Sequence, residues 1–159
     1  MNKEAKILGL ISDTHGLLRP EAVEALRGSD LILHAGDVGD PEILAELRKL
    51  APVIAVRGNV DTGEWAEALP LTEVISLGSA RVYMLHILQG LDLNPAAAEV
   101  DIVVTGHSHK PGTTEKDGVL YVNPGSAGPR RFQLPVTVAR LDLSVRPWKV
   151  EFLELVGGK

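Results

Sequence analysis

Short apolar runs recur along the chain: KILGLI (6–11), LILHA (31–35), VIAV (53–56), RVYMLH (81–86) and DIVVTG (101–106). Most lack strict alternation of apolar and polar positions, the pattern of strands covered on both faces. Helical signals lie between the first three. RPEAVEALRGS (19–29) has a proline in its first turn and ends at Gly28. GDPEILAELRKLAP (39–52) offers Asp40 as N-cap and Pro41 at the first helical position, with Arg48 and Lys49 in its last turn. Cations there complement the helix dipole. A β-α-β-α-β opening predicts a parallel sheet.

The pattern changes in the second half. VISLGSARVYML (74–85) reads as two strands joined at Gly78-Ser79. TTEKDGVLYV (113–122) carries Asp117-Gly118 between two short strands, a hairpin signal. VTVARLDLSVRPWKVEFLELV (136–156) alternates, as a terminal hairpin with one solvated face would. No repeat, low-complexity tract or linker interrupts the chain. One α/β domain over residues 1–159, with mixed sheets, is expected.

Composition narrows the function. A chain of 159 residues can bury about 70% of its unfolded surface. With aromatics at only 4%, the core must be aliphatic. A net charge of -5 argues against general nucleic-acid binding and against attraction to anionic membranes. The amino-terminal run to His15 is too short in apolar residues, and too interrupted by acidic ones, for a signal peptide. No stretch is long enough to span a membrane. A soluble, cytoplasmic protein is expected. There is no cysteine, so any metal must be held by nitrogen and oxygen.

Metal-capable residues follow the strands. ILGLI leads into Asp13 and His15, LILHA into Asp37, VIAV into Asn59, VYML into His86, and DIVVT into His107 and His109. Ligands of open α/β sheets bind beyond the carboxyl ends of the strands, so parallel strands would bring these seven side chains to one cleft. Singly, each has an ordinary explanation as a turn, cap or surface residue. Jointly, that explanation would have to account for five strand ends independently. Four of the five histidines lie at those ends, and His34 sits within a strand as a packed residue. Imidazole mixed with carboxylate suits borderline transition metals rather than calcium or magnesium. Seven ligands suit two ions, about 3.5–4 Å apart in enzymes that polarise a phosphoryl group.

Taken in order, Asp13-x-His15, Gly36-Asp37, Gly58-Asn59, His86 and Gly106-His107-Ser108-His109 resemble the motifs of calcineurin-like metallophosphoesterases, in particular the compact YfcE-type branch. Asn123-Pro124-Gly125-Ser126 and the Gly-Asn-x-Asp at 58–61 fit that branch. The resemblance implies a four-layer α-β-β-α sandwich with two mixed sheets. It implies one ion on Asp13, His15, Asp37 and His109 and a second on Asp37, Asn59, His86 and His107, with Asp37 as bridge. An extended H-x-H loop would let His107 and His109 serve different ions, with Ser108 a spacer. The implied activity is hydrolysis of a small phosphate ester by a hydroxide bridging two divalent ions. By the same resemblance Asp37, Asn59 and His86 would hold the catalytic positions. Manganese suits the donors best; nickel, iron and zinc fit them too.

Two departures bear on substrate. Larger family members place a histidine after the asparagine as a proton donor, and here Val60 stands there. That favours diesters with good leaving groups. His86 is followed by Ile87 rather than glycine, which would narrow the cleft or shift His86. The rival to the enzyme is a non-enzymatic interaction scaffold of the retromer-subunit type on the same fold; the intact ligand set favours the enzyme. A nuclease keeps the chemistry with a substrate that the acidic balance disfavours, and homo-oligomerisation is left open. Asp61 reads equally as an orienter of a ligand histidine or as a turn cap. Trp65 could wall the cleft or a subunit interface, or pack in the core. Arg130 and Arg131 could meet a phosphate, but read better as solvated arginines.

Overall fold

The computed structural model describes residues 5–131 and 133–155. Residues 1–4 of the amino-terminal run and Val156 of the expected terminal hairpin lie outside them. One mixed sheet holds β1 (Ile7–Ile11), β2 (Leu31–His34) and β3 (Val53–Ala55) in parallel. It continues through β9 (Thr137–Asp142) and β10 (Lys149–Glu154), each antiparallel to its neighbour, in the order β10-β9-β1-β2-β3. The second sheet has the order β4-β5-β6-β8-β7. It comprises β4 (Thr72–Ser76), β5 (Arg81–Leu85), β6 (Ile102–Val104), β7 (Gly112–Lys116) and β8 (Val119–Asn123). Here β5, β6 and β8 run parallel, while β4 and β7 pair antiparallel at the edges.

The period of two along each strand builds the layers. Leu8, Leu10, Leu31 and Leu33 of the first sheet face Val82, Met84, Ile102 and Val104 of the second in one buried aliphatic cluster. Each such side chain contributes about 1.5–3 kcal/mol on full burial. The alternate residues Ile11 and Ile32 point outward. There they meet Ala22 and Leu26 of α1 (Pro20–Leu26) and Ile43, Leu44 and Leu47 of α2 (Pro41–Arg48). Asp40 caps α2 as expected, accepting from the Glu42 amide at 2.9 Å. At Gly9 a Cβ would lie 2.6 Å from Ser29 Oγ and 2.9 Å from Leu26, so glycine lets α1 lie close on the sheet. The outer face of the second sheet buries Tyr83, Leu85 and Val103 with Val100 and Val119, and Leu91, Leu93 and Tyr121 pack on them. The short helix α3 (Glu64–Glu67) was not legible in the sequence, since four residues give no periodicity. No helix among the described residues is long and apolar enough to cross a membrane.

The same period explains His34. It faces the helices, not the cleft, and is wholly buried. The Thr14 hydroxyl donates to the Val38 carbonyl at 2.8 Å and lies 3.0 Å from His34 Nε2. The Gly36 amide donates to Nδ1 at 3.1 Å. Both ring nitrogens are therefore satisfied in the neutral form with the proton on Nε2. Burial pushes the pKa of His34 down to about 4; the charges of Asp13, Asp61 and Asp37 pull the other way, and His86 adds to the fall. Unfolding restores a pKa of about 6.5, so the unfolded chain takes up a proton between those values. The contribution of His34 to stability is complete above about pH 6.5 and drains away as the pH falls towards 4. Urea unfolding of metal-free protein should show that decline, and His34→Gln should flatten it.

Candidate metal centre

The carboxyl ends of β1, β2 and β3 meet those of β5 and β6, and the loops leaving them carry the candidate residues. The loops after β1 and β2 are tied to each other. The amides of Asp13, His15 and Gly16 each donate at 2.9 Å, to the carbonyls of Gly36, Asp37 and Val38 respectively. Five residues here hold left-handed backbone: Asp13 (φ 56°), His15 (47°), Asp37 (55°), His107 (73°) and His109 (65°). Asp and His tolerate that region better than most residues, but such conformations still cost about 1–3 kcal/mol each and persist where surrounding structure enforces them.

Six of the seven sequence candidates come together in two groups. Asp13, His15 and His109 present ligand atoms all within 4.8 Å of one another, and so do Asp37, His86 and His107. The rings pair accordingly, His15 with His109 at 5.6 Å and His86 with His107 at 5.3 Å between centroids. Asp37 Oδ2 stands between the groups, 3.1 Å from His86 Nε2 and 3.7 Å from His15 Nε2. The seventh candidate, Asn59, is exposed in the loop after β3. Its neighbours on both sides touch Asp37. The Val60 amide donates to Asp37 Oδ1 at 2.9 Å, and a Cβ on Gly58 would fall 2.1 Å from that same oxygen.

Each carboxylate has one oxygen tied to protein and one turned to the cluster. Asp13 Oδ2 accepts from the Ser12 hydroxyl at 2.6 Å and the His107 amide at 3.0 Å. Asp13 Oδ1 faces His109 Nε2 at 3.3 Å and His15 Nε2 at 3.6 Å. Burial opposes the charged form of Asp13. The facing His109 and His15 rings and the Ser12 hydroxyl outweigh it and hold the carboxyl well below its usual range. Asp37 is lowered too: burial opposes, while His86 and the Val60 amide prevail. For His86, burial works against the cation, but Asp37, Asp13 and the Ala35 carbonyl raise its pKa.

A metal fits these donors. Asp13 Oδ1, His15 Nε2 and His86 Nε2 are buried and have no hydrogen-bond partner. Buried polar atoms are rarely left so. With Nδ1 of His86 2.7 Å from the Ala35 carbonyl, its proton belongs there. The Nε2 lone pair then faces the Asp37 carboxylate, an arrangement that calls for a cation between them.

Two sequence expectations need correction. The H-x-H loop is not extended, since both histidines have positive φ; that backbone, rather than strand alternation, sends them to different groups. Ser108 is more than a spacer. Its hydroxyl accepts from Asn123 Nδ2 at 3.1 Å and from the Lys110 amide at 3.3 Å, while Asn123 also holds the Gly106 carbonyl at 3.0 Å. Ile87 has ordinary extended backbone (φ -111°) and leaves His86 anchored on Ala35. Asp61 is a cap: it accepts from the amides of Gly58, Gly39 and Val38 at 2.9–3.2 Å, joining the β2 and β3 loops. Trp65 packs among the helices, Arg130 is half-buried and Arg131 is exposed. Sequence reasoning gave no weight to Ser12, whose only signal was its place beside Asp13.

The profile of the calcineurin-like phosphoesterase superfamily domain matches residues 7–146, a span that includes every strand leading into the two groups. The chain belongs to that family. A probable metallophosphoesterase of Methanothermobacter thermautotrophicus is 39% identical over 152 residues, 86% of each chain. Phosphodiesterase YfcE of Escherichia coli is 28% identical over 158 residues, 84% of this chain and 86% of its own. Vacuolar protein sorting 29 of Cryptosporidium parvum superposes with a TM-score of 0.81 at 24% identity, covering 98% of this chain and 94% of that one; this is a likeness of fold. As in other metallophosphoesterases, the α/β sandwich has two mixed sheets, and its candidate ligand groups suit the metal dependence of the family.

Proposed function

We propose that this metallophosphoesterase hydrolyses a small phosphodiester, with two divalent ions held by the paired groups. The observation that carries this reading is the set of buried, unpartnered atoms Asp13 Oδ1, His15 Nε2 and His86 Nε2 beside two carboxylates. Asp13, His15 and His109 would hold one ion. His86 and His107, with Asn59 beside them, would hold the other, and Asp37 would serve both through Oδ2. Two bound ions, manganese by preference for these donors, would supply charge to polarise the phosphoryl group and acidify water between them.

The chain's own residues prepare that site. The Ser12 hydroxyl and the His107 amide fix Asp13, the Val60 amide fixes Asp37, and the Ala35 carbonyl fixes His86. Val60 follows Asn59 with half its surface exposed (51%) and has no proton to give. A diester with a good leaving group needs little protonation, so diesters are favoured. Metal-stripped protein resupplied with manganese should cleave bis(p-nitrophenyl) phosphate, and the stripped protein should not. Failure of every divalent ion to restore cleavage would turn the reading towards a scaffold of the kind suggested by the likeness to vacuolar protein sorting 29.

Asn123→Ala removes two of the hydrogen bonds that hold the Gly106–His109 loop, those to the Gly106 carbonyl and the Ser108 hydroxyl. Losing outer support of this sort weakens metal binding about 10–100-fold. Titration calorimetry with manganese should register the loss.

A further inference from the structure

A cavity of about 330 Å³ opens beside His107 on the outer face of the second sheet. We propose that it receives the organic arm of the phosphodiester, and that Lys110 and Tyr121 select an arm bearing a ring and a second negative charge. The proposal rests on the phosphodiesterase reading and adds the substrate class.

Three observations support it. His107 belongs to the Asp37–His86–His107 group and also lines the cavity, so a phosphate at the metal centre would have its substituent at the cavity mouth. The lining mixes hydroxyl and amide groups with Tyr121, and among the described residues it contains Lys110 but no carboxylate. In a chain of net charge -5 that is a local exception. A neighbouring depression shares Leu88, Thr114 and Tyr121 and is also lined by Lys116, a second cation close to the cavity. A phenol edge and aliphatic walls suit a ring, and an ammonium suits an anion. Gly112 lines the cavity, and nothing lies within 4 Å of where its Cβ would stand, so a side chain placed there would meet no protein atom.

The test uses p-nitrophenyl phosphodiesters that share one leaving group: the methyl ester, the thymidine 5′ ester, and the thymidine 5′ ester carrying a 3′-phosphate. Wild-type protein should prefer the last. Lys110→Glu should reverse that preference, changing the ratio of kcat/KM between the two thymidine esters about tenfold. Gly112→Leu should raise KM for the thymidine esters relative to the methyl ester. Both ratios staying within about twofold of wild type would overturn the cavity assignment while leaving the phosphodiesterase reading intact.

If wild-type protein cleaves none of the three, calorimetry with thymidine 3′,5′-bisphosphate on manganese-loaded protein decides the matter. Binding weakened by Lys110→Glu and by Gly112→Leu would keep the cavity and remove the phosphodiesterase reading. Binding indifferent to both substitutions, or no binding, would remove the cavity.

Discussion

Asp37→Asn should cut manganese-dependent cleavage of bis(p-nitrophenyl) phosphate by more than about 10²-fold, the scale of losing one well-aimed electrostatic contact in a dry site. Asparagine keeps the size of the side chain, and its oxygen can still accept from the Val60 amide, so the loop need not move. What disappears is the negative charge at Oδ2, which stands 3.1 Å from His86 Nε2 and 3.7 Å from His15 Nε2. Tightly bound metal should fall below two ions per chain, measured by plasma emission on dialysed protein. Circular dichroism should be unchanged. Full turnover with two retained ions would rule out Asp37 as the shared ligand.

Gly58→Ala should damage the site through space rather than charge. The added Cβ would lie 2.1 Å from both the amide nitrogen and Oδ1 of Asp37 and 2.8 Å from its Cα. Backbone and a buried carboxylate cannot swing aside as the tip of a flexible side chain could. Overpacking of this kind costs about 1–3 kcal/mol. At about 2–4 °C per kcal/mol for a chain of this size, Tm should fall by about 2–12 °C. Activity should fall further than stability does, because the atoms displaced first are those of Asp37. An unaltered Tm with wild-type turnover would mean that the two loops separate freely.

Much of the centre was legible because strand ends are legible. Asp13, Asp37 and His86 follow apolar runs whose lengths mark strands, and parallel pairing of β1 with β2 and of β5 with β6 gathers those ends. The hairpins at Gly78-Ser79 and Asp117-Gly118 could be read from their turn residues, and β9 with β10 from alternation. Left-handed backbone at non-glycine residues could not be read, since no local preference dictates it and only tertiary contact enforces it. Hence the H-x-H loop was read as extended. Ser12 goes unread, and Asn123 is read only as part of its turn motif, for a related reason. Their partners, Asp13 Oδ2 and the Gly106 carbonyl, are set by backbone geometry that spacing does not encode. The choice between the two roles of Asp61 needed the positions of three amides drawn from two loops.

The two ligand groups each take residues from both sheets: Asp13 and His15 with His109, and Asp37 with His86 and His107. The chain crosses from one sheet to the other beside the centre, after β3 and after β8, and the aliphatic layer of Leu10, Leu33, Met84 and Val104 sets how far apart the sheets stand. That layer is therefore a ruler. A methylene removed from it lets one sheet settle against the other, and the displacement appears at the far end as a change in the gap between carboxylate and imidazole. Drift in the hydrophobic interior would here change the spacing of the candidate ligand groups, so the buried leucines set distance as well as stability.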